Sequence, residues 1–227
     1  MTTTLITGAN RGLGKETARQ LVAAGHTVYV GARDEARGHA AADELGARFV
    51  QLDVTDDASV AAAFAHIEVG GGLDVLVNNA GIAMLALNGP DSLRVFDTNV
   101  VGIIRVTEAA LTLLSKSRNP VVVNISSALG SFWANHEPSR PASQVAAIVY
   151  GASKAAVSML TVQYARAVPE VKFNAVEPGY TATELGGTTN EHGRPVEISA
   201  RTIVAMATIG KDGPTGTFQE DDGELGW

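Results

Sequence analysis

Short β-branched runs alternate with longer alanine-rich stretches along this chain, and that alternation leaves few folds open. Runs such as "TTLIT", "TVYV", "VLVN" and "VVVNI" are apolar at consecutive positions, as strands buried on both faces are, and the segments between them carry a helical period that can cover those faces. Strands are expected near 3–7, 27–31, 48–52, 73–78, 120–125 and 171–176, with a weaker one near 216–219. Helices are expected near 12–24, 35–45, 56–68, 91–115, 146–167 and 197–207. Right-handed crossovers then give an α/β fold with a doubly wound parallel sheet of about seven strands. Its ligand crevice lies beyond the carboxyl ends of the strands.

With 227 residues, 45% of them hydrophobic, the chain can bury a large core within a single domain, 1–227. It contains no uninterrupted apolar run of about 18 residues, the length that suggests a membrane span. Met1 to Thr4 leads straight into the first strand without a basic or apolar leader, so a soluble, cytoplasmic protein is expected. There are no cysteines, and the five histidines, His26, His39, His66, His136 and His192, lack ligand spacing. No disulfide and no metal are expected. A net charge of −7 argues against nucleic-acid and anionic-membrane partners, so any anionic ligand must be held by local geometry. The stretch "GGTTNEHGRP", at about 186–195, reads as a mobile loop.

"TTLITGANRGLGKETARQL" runs strand, glycine turn, helix. Gly8, Gly12 and Gly14, with Asn10, Arg11 and Leu13 among them, let the backbone turn tightly and approach a pyrophosphate at the helix N-terminus. A glycine triplet alone is a weak signal, but between a strand and a helix it points to a dinucleotide and a Rossmann-type unit. Asp34 has the right spacing to hold a ribose hydroxyl, yet it precedes "EARGHAAADEL", where capping a helix is its ordinary structural role. Arg33 reaches the crevice first. Together with Arg11 it could pair with a 2′-phosphate, although either arginine alone reads more readily as a solvated surface charge. Jointly they favour NADP(H) over NAD(H).

Further motifs follow in order: "LDV" at Leu52 to Val54, "NNAG" at Asn78 to Gly81, "NVVG" from Asn99, "NISS" ending at Ser127, "YGASK" at Tyr150 to Lys154, and "EPGYTAT" around Pro178 and Gly179. With TGANRGLG, the series resembles the short-chain dehydrogenase/reductase superfamily in its single-domain branch, over nearly the whole chain. The resemblance implies that Asp53 and Val54 flank an adenine, and that Asn79, Ala80 and Gly81 line its ribose side. It also implies that Pro178, Gly179, Thr181 and Thr183 meet the nicotinamide end. Read without it, Asp53 is a residue before a helix start, and Asn78 and Asn79 form a turn after the fourth strand.

Tyr150 and Lys154 are one helical turn apart, with only Gly151, Ala152 and Ser153 between them, so both can face the crevice. To act as a general acid–base near neutral pH, a tyrosine that ionises near pH 10 must be acidified by about 4 kcal/mol. One ammonium at about 4 Å and an effective dielectric near 20 supplies that amount, so Lys154 is expected to acidify Tyr150. The resemblance further implies that Lys154 grips the nicotinamide ribose, that Ser127 hydrogen-bonds the same substrate oxygen as Tyr150, and that Asn99 holds a water linking the lysine to solvent. Strand alternation turns only one of Ser126 and Ser127 to the crevice; the family pattern selects Ser127.

Between Ser127 and Tyr150 lies "ALGSFWANHEPSRPASQVAAIV", longer than in compact members of the superfamily. It reads either as a flap lining the substrate pocket with Phe132 and Trp133, or as a segment those aromatics pack onto the body. It lies near the helix through which many relatives dimerise, so monomer and homo-oligomer both stay open. The tail "GPTGTFQEDDGELGW" resembles carbonyl-reductase-like members, plant menthone and salutaridine reductases among them. These readings imply an NADPH-dependent ketone reductase, reversible as an alcohol dehydrogenase, acting on a small-molecule carbonyl or alcohol. The competing class is a non-catalytic nicotinamide-dinucleotide sensor. Its mark would be loss of the tyrosine or the lysine, and both are present.

Overall fold

The computed structural model of the chain describes residues 2–84, 87–185 and 192–227. Its strands are β1 (Thr3–Thr7), β2 (Thr27–Ala32), β3 (Arg48–Gln51), β4 (Val75–Asn78), β5 (Val121–Ile125), β6 (Lys172–Val176), β7 (Thr217–Glu220) and β8 (Gly223–Glu224). They form one sheet in the order β3-β2-β1-β4-β5-β6-β7-β8. The first seven are parallel and β8 runs antiparallel to β7. The doubly wound sheet therefore matches the expectation, with an eighth strand added whose two residues are too few for any periodicity to register. Chain direction across the sheet reverses between β1 and β4, and this switch point opens the crevice.

The helices are α1 (Gly12–Ala23), α2 (Glu35–Leu45), α3 (Asp57–Val69), α4 (Gly89–Phe96), α5 (Gly102–Leu114), α6 (Phe132–His136), α7 (Ile148–Ala167) and α8 (Val196–Ala207). Successive strand residues point to opposite faces, and the core divides accordingly. Leu5, Tyr29, Leu76, Val122 and Phe173 pack with Phe64 and Ile67 of α3 and Val106 and Leu114 of α5. Ile6, Val28, Val77 and Val123 pack on the other side with Leu21 of α1, Ala41 of α2 and Ile203 of α8. Each fully buried side chain of this size is worth about 1.5–3 kcal/mol, so the strands are held from both faces.

A polar seam crosses the core beneath the crevice. Asn78 Nδ2 donates to Asn124 Oδ1 at 2.9 Å, and Asn124 Nδ2 donates to Thr161 Oγ1 at 2.9 Å. Asn78 thus belongs to β4 and ties β4, β5 and α7 together, rather than forming a turn.

Two local features depart from the sequence reading. The helix expected over 91–115 is broken into α4, a π-helical turn Asp97–Val101, and α5. One wide turn barely disturbs the apolar pattern on either side, so periodicity passes over it. The segment after Ser127 contains α6, capped by Ser131, whose hydroxyl accepts from Ala134 N at 2.9 Å and donates to Gly226 O at 2.6 Å. Ala134 and Ala142 pack on Ala175, Phe218 and Leu225. Trp133 N donates to Trp227 O at 2.9 Å, and Arg140 pairs with Glu220 at 2.5 Å while lying over the Trp133 ring. Trp133 therefore fastens the segment to the β7–β8 edge, while Phe132 is 73% exposed. Residues 186–191 of the expected loop lie outside the described residues.

Candidate active site

At the end of β1, Gly8 and Gly12 take φ values of +65° and +54°, backbone that only glycine adopts without a Cβ penalty. Gly14 sits at a close approach: a Cβ there would lie 2.4 Å from Asn79 Nδ2. That amide donates to Thr7 O at 2.8 Å and Gly8 O at 3.2 Å. Thr7 Oγ1 in turn accepts from Asn79 N and Ala80 N at 3.0 and 2.9 Å. The Asn79–Gly81 segment thus braces the glycine turn, in which Asn10 and Leu13 are partly buried. Arg11, at the N-cap of α1, makes no side-chain capping bond. The first-turn N–H groups and the helix dipole are therefore arranged to take a phosphate, and the glycine cradle fits a dinucleotide.

Arg33, just past β2, is exposed and has no hydrogen-bond or ion-pair partner among the described residues. Asp34 caps α2, accepting from Arg37 N at 3.0 Å and Arg37 Nε at 2.9 Å. Arg11, unlike Arg33, already pairs with Glu184 in the segment after β6. Asp53 Oδ1 accepts from Thr55 N at 3.0 Å and Thr55 Oγ1 at 2.7 Å, a turn leading into α3, and Val54 beside it is buried. Past β6, Thr181 Oγ1 donates to Gly179 O at 2.8 Å beside Pro178. Thr183 reaches back over the glycine turn, its methyl 3.5 Å from where a Gly12 Cβ would be.

The two serines after β5 part company. Ser126, 1% exposed, donates to Lys154 O at 3.1 Å and shares a hydrogen bond with Ser158 Oγ at 2.9 Å. Ser127 lies beside Tyr150 and Glu177, and its hydroxyl accepts from Leu129 N at 3.3 Å. Lys154 Nζ lies 5.5 Å from the centre of the Tyr150 ring and donates to Ile125 O at 2.6 Å. A Cβ on Gly81 would lie 3.4 Å from Asn99 Oδ1 and 3.8 Å from Lys154 Nζ, so Asn99 and Lys154 flank the same point. Asn99 Nδ2 donates to Ile82 O at 2.9 Å and Ser153 Oγ at 3.1 Å, and Asn99 Oδ1 accepts from Ile82 N at 2.8 Å. The π-turn carries this asparagine.

The electrostatics correct the sequence reading. Lys154 does not acidify Tyr150 here. Burial first, then the negative charge of Glu177, push the phenol well above the ordinary tyrosine range, and Ser127 draws it partly back. Lys154 itself is 5% exposed, and burial pushes its ammonium down to about 8, offset in part by Glu177. The reason is geometric: Nζ turns to a backbone carbonyl rather than to the phenol oxygen, and both groups are withdrawn from water.

Glu177 is the site residue that the motif reading passed over. It lies inside "EPGYTAT", but spacing does not show that its carboxylate folds beneath Ser127. One oxygen accepts from Gly179 N at 2.6 Å and the other from Ala128 N. Burial raises its pKa and these N–H groups oppose that rise. Among the described residues, no group of three or more histidines and acids is placed to hold a metal ion, and no helix is long and apolar enough to cross a membrane.

Comparison with known proteins agrees with this geometry. The family model for short chain dehydrogenase matches residues 2–194. A short-chain dehydrogenase/reductase of Stachybotrys chlorohalonatus is 37% identical, across 96% of this chain and 88% of its own. A short-chain dehydrogenase of Penicillium roqueforti is 33% identical, across 98% and 96%. The structure of NADPH-bound carbonyl reductase from chicken fatty liver matches with a TM-score of 0.86 at 28% identity, across 100% of this chain and 99% of the other. Menthone neomenthol reductase from Mentha piperita matches with a TM-score of 0.78 at 27% identity, across 96% and 98%. Motifs, sheet order and relatives converge: the chain belongs to the short-chain dehydrogenase/reductase family, is carbonyl-reductase-like in structure, and is an NAD(P)-dependent oxidoreductase.

Proposed function

We propose that this single domain is an NADPH-dependent carbonyl reductase, reversible as an alcohol dehydrogenase, with Tyr150 as its proton donor. The observation that carries the reading is Lys154, whose Nζ lies 5.5 Å from the centre of the Tyr150 ring and flanks one point beside Gly81 with Asn99, next to a glycine turn shaped for a dinucleotide. The NADPH-bound carbonyl reductase among its structural relatives supports it.

The glycine turn and the N-terminus of α1 would hold the pyrophosphate, and Lys154 the nicotinamide ribose. Arg33, uncommitted among the described residues, would meet the 2′-phosphate, while Arg11 would first have to leave Glu184. A bound reduced nicotinamide supplies the hydride. Ser127 and Tyr150 together grip the carbonyl oxygen, so negative charge developing on it meets two donors already in place. Tyr150 gives up its proton to that oxygen as general acid.

The test is a panel of aryl and cyclic ketones assayed with both reduced nicotinamides. Tyr150→Phe is expected to lower turnover at least 100-fold with an unchanged melting temperature. Retained turnover would refute the assignment of the acid. Tight NADPH binding without turnover on any ketone would favour a sensing protein instead.

A further inference from the structure

We propose that Arg194 is a positioning residue for the nicotinamide half of the cofactor: it locks the strip 179–183, which crosses the crevice, in place before a ligand arrives. The inference rests on reading the crevice as a dinucleotide site.

The strip runs from one side of that crevice to the other. It leaves β6 beside the loop that carries Ser127, where Gly179 N and Ala128 N both donate to the Glu177 carboxyl. It ends over the glycine turn, where the Thr183 methyl lies 3.5 Å from the position of a Gly12 Cβ and the next residue, Glu184, pairs with Arg11. Arg33 and Asp53, which follow β2 and β3, belong to the opposite half of the sheet. A dinucleotide held by the glycine turn at the switch point would lay one half along the β2 and β3 loops and the other along the strip. Lys154, bonded to Ile125 O at the end of β5, puts the reacting end on the strip's side.

Arg194 holds the strip with backbone and side chain together. Its N–H donates to Tyr180 O at 2.8 Å and its carbonyl accepts from Ala182 N at 2.9 Å, which makes a parallel bridge between Thr181 and Arg194. Gly193 packs so closely here that a Cβ would lie 2.3 Å from Ala182 N. The guanidinium fills the space that a side chain at position 179 would need: a Cβ on Gly179 would lie 2.8 Å from Arg194 Nε and Cζ. Nε donates to Ser199 Oγ of α8 at 2.9 Å, and that hydroxyl shares a hydrogen bond of 2.8 Å with Thr181 Oγ1 of the strip. Nη1 pairs at 2.6 Å with Asp221, between β7 and β8, and Asp221 also accepts from Thr202 Oγ1 of α8.

An exposed ion pair fixes little. This one is only 29% and 34% exposed, and it acts through a rigid planar fork, so the strip is tied at once to α8 and to the edge of the sheet. A strip ordered in advance spares the cofactor the cost of ordering it on binding. Without the guanidinium the backbone bridge remains, but Gly179 is free to shift. The half of the cofactor along the strip then loses affinity, and the adenosine half, held across the switch point, keeps it.

The experiment compares two probes by calorimetric titration: NADPH, and adenosine 2′,5′-bisphosphate, which carries the phosphate-bearing adenosine half alone. Arg194→Met is expected to weaken NADPH binding about ten-fold and bisphosphate binding by no more than about two-fold. Arg194→Lys, which keeps a charge opposite Asp221 but not the fork, should fall between Arg194→Met and wild type for NADPH. Equal weakening of both probes, or no weakening of either, would overturn the proposal. Should Arg194→Met not fold, Asp221→Asn decides by the same comparison, because it releases Nη1 and must show the same selective loss. Amide hydrogen exchange of the unliganded protein gives a reading without any cofactor: exchange at Ala182 must quicken in the variant more than exchange in β1, and an unchanged rate at Ala182 overturns the clamp. Wild type that binds neither probe defeats the functional reading, and the exchange comparison still tests the clamp.

Discussion

Glu16 illustrates how one side chain near the cofactor turn adds stability that pH can remove. It sits in the second turn of α1, where Arg19 donates to both its oxygens at 2.8 and 2.7 Å and Gln20 donates at 2.8 Å. The bond from Arg19 holds its carboxyl below the ordinary carboxylate range, against the opposing effect of burial. Because the folded-state pKa is depressed, the contribution is present above the unfolded value near 4.5 and is lost as pH falls through the lower folded value. Arg19 is about half exposed, so solvent screening limits the contribution. Glu16→Gln is expected to lose about 1 kcal/mol at neutral pH. The gap should narrow once pH falls below the ordinary carboxylate range, and urea denaturation of both proteins across pH measures it. A gap independent of pH would assign the loss to packing alone.

The segment 128–147 is held by the far edge of the sheet rather than by its own length. Phe218 of β7 is fully buried beneath it and stacks on Trp227 at 5.4 Å between ring centres. Phe218→Ala is expected to cost about 3–5 kcal/mol, as other large-to-small core changes do. The cost should fall on this segment first, so amide hydrogen exchange at Trp133 and Ala134 should accelerate more than in β4 or β5. Uniform acceleration across the sheet would mean that the segment is not a separable unit. The sequence offered packing of this segment onto the body as one of two readings and a strand near 216–219, but α6 and β8 were not legible, because α6 is one short turn and β8 has only two residues. The long elements, apart from the helix broken at Asp97–Val101, were legible within a residue or two, since their apolar pattern repeats often enough to identify. The positive-φ turn at Gly8 and Gly12 and the shared helix of Tyr150 and Lys154 were legible because motif spacing on strands and helices fixes direction; spacing alone left Ser126 and Ser127 both open. The direction of the Lys154 ammonium and the fold-back of Glu177 were not, because both depend on hydrogen bonds to backbone groups far away in sequence.

Sheet order makes the crevice a property of the whole molecule. The glycine turn follows β1, Arg33 follows β2, the brace follows β4 and Thr183 follows β6, so one dinucleotide would bridge loops from both halves of the sheet. The net charge of −7 opposes any phosphate at long range, but beyond about 8 Å salt screens that field, and the local donors decide. Binding only the folded state at 100 times the dissociation constant adds about 2.7 kcal/mol. In a chain of this size that raises the melting temperature by roughly 5–10 °C. NADPH is therefore expected to shift the melting temperature more than NADH at equal concentration, because the 2′-phosphate adds a charge that Arg33, without a partner among the described residues, would meet without first breaking an existing pair. Arg33→Asp should remove that difference while leaving the NADH shift in place, and Arg11→Ala should reduce it less. Equal shifts for the two cofactors in wild type, read by thermal denaturation at fixed salt, would show that Arg33 does not choose between them.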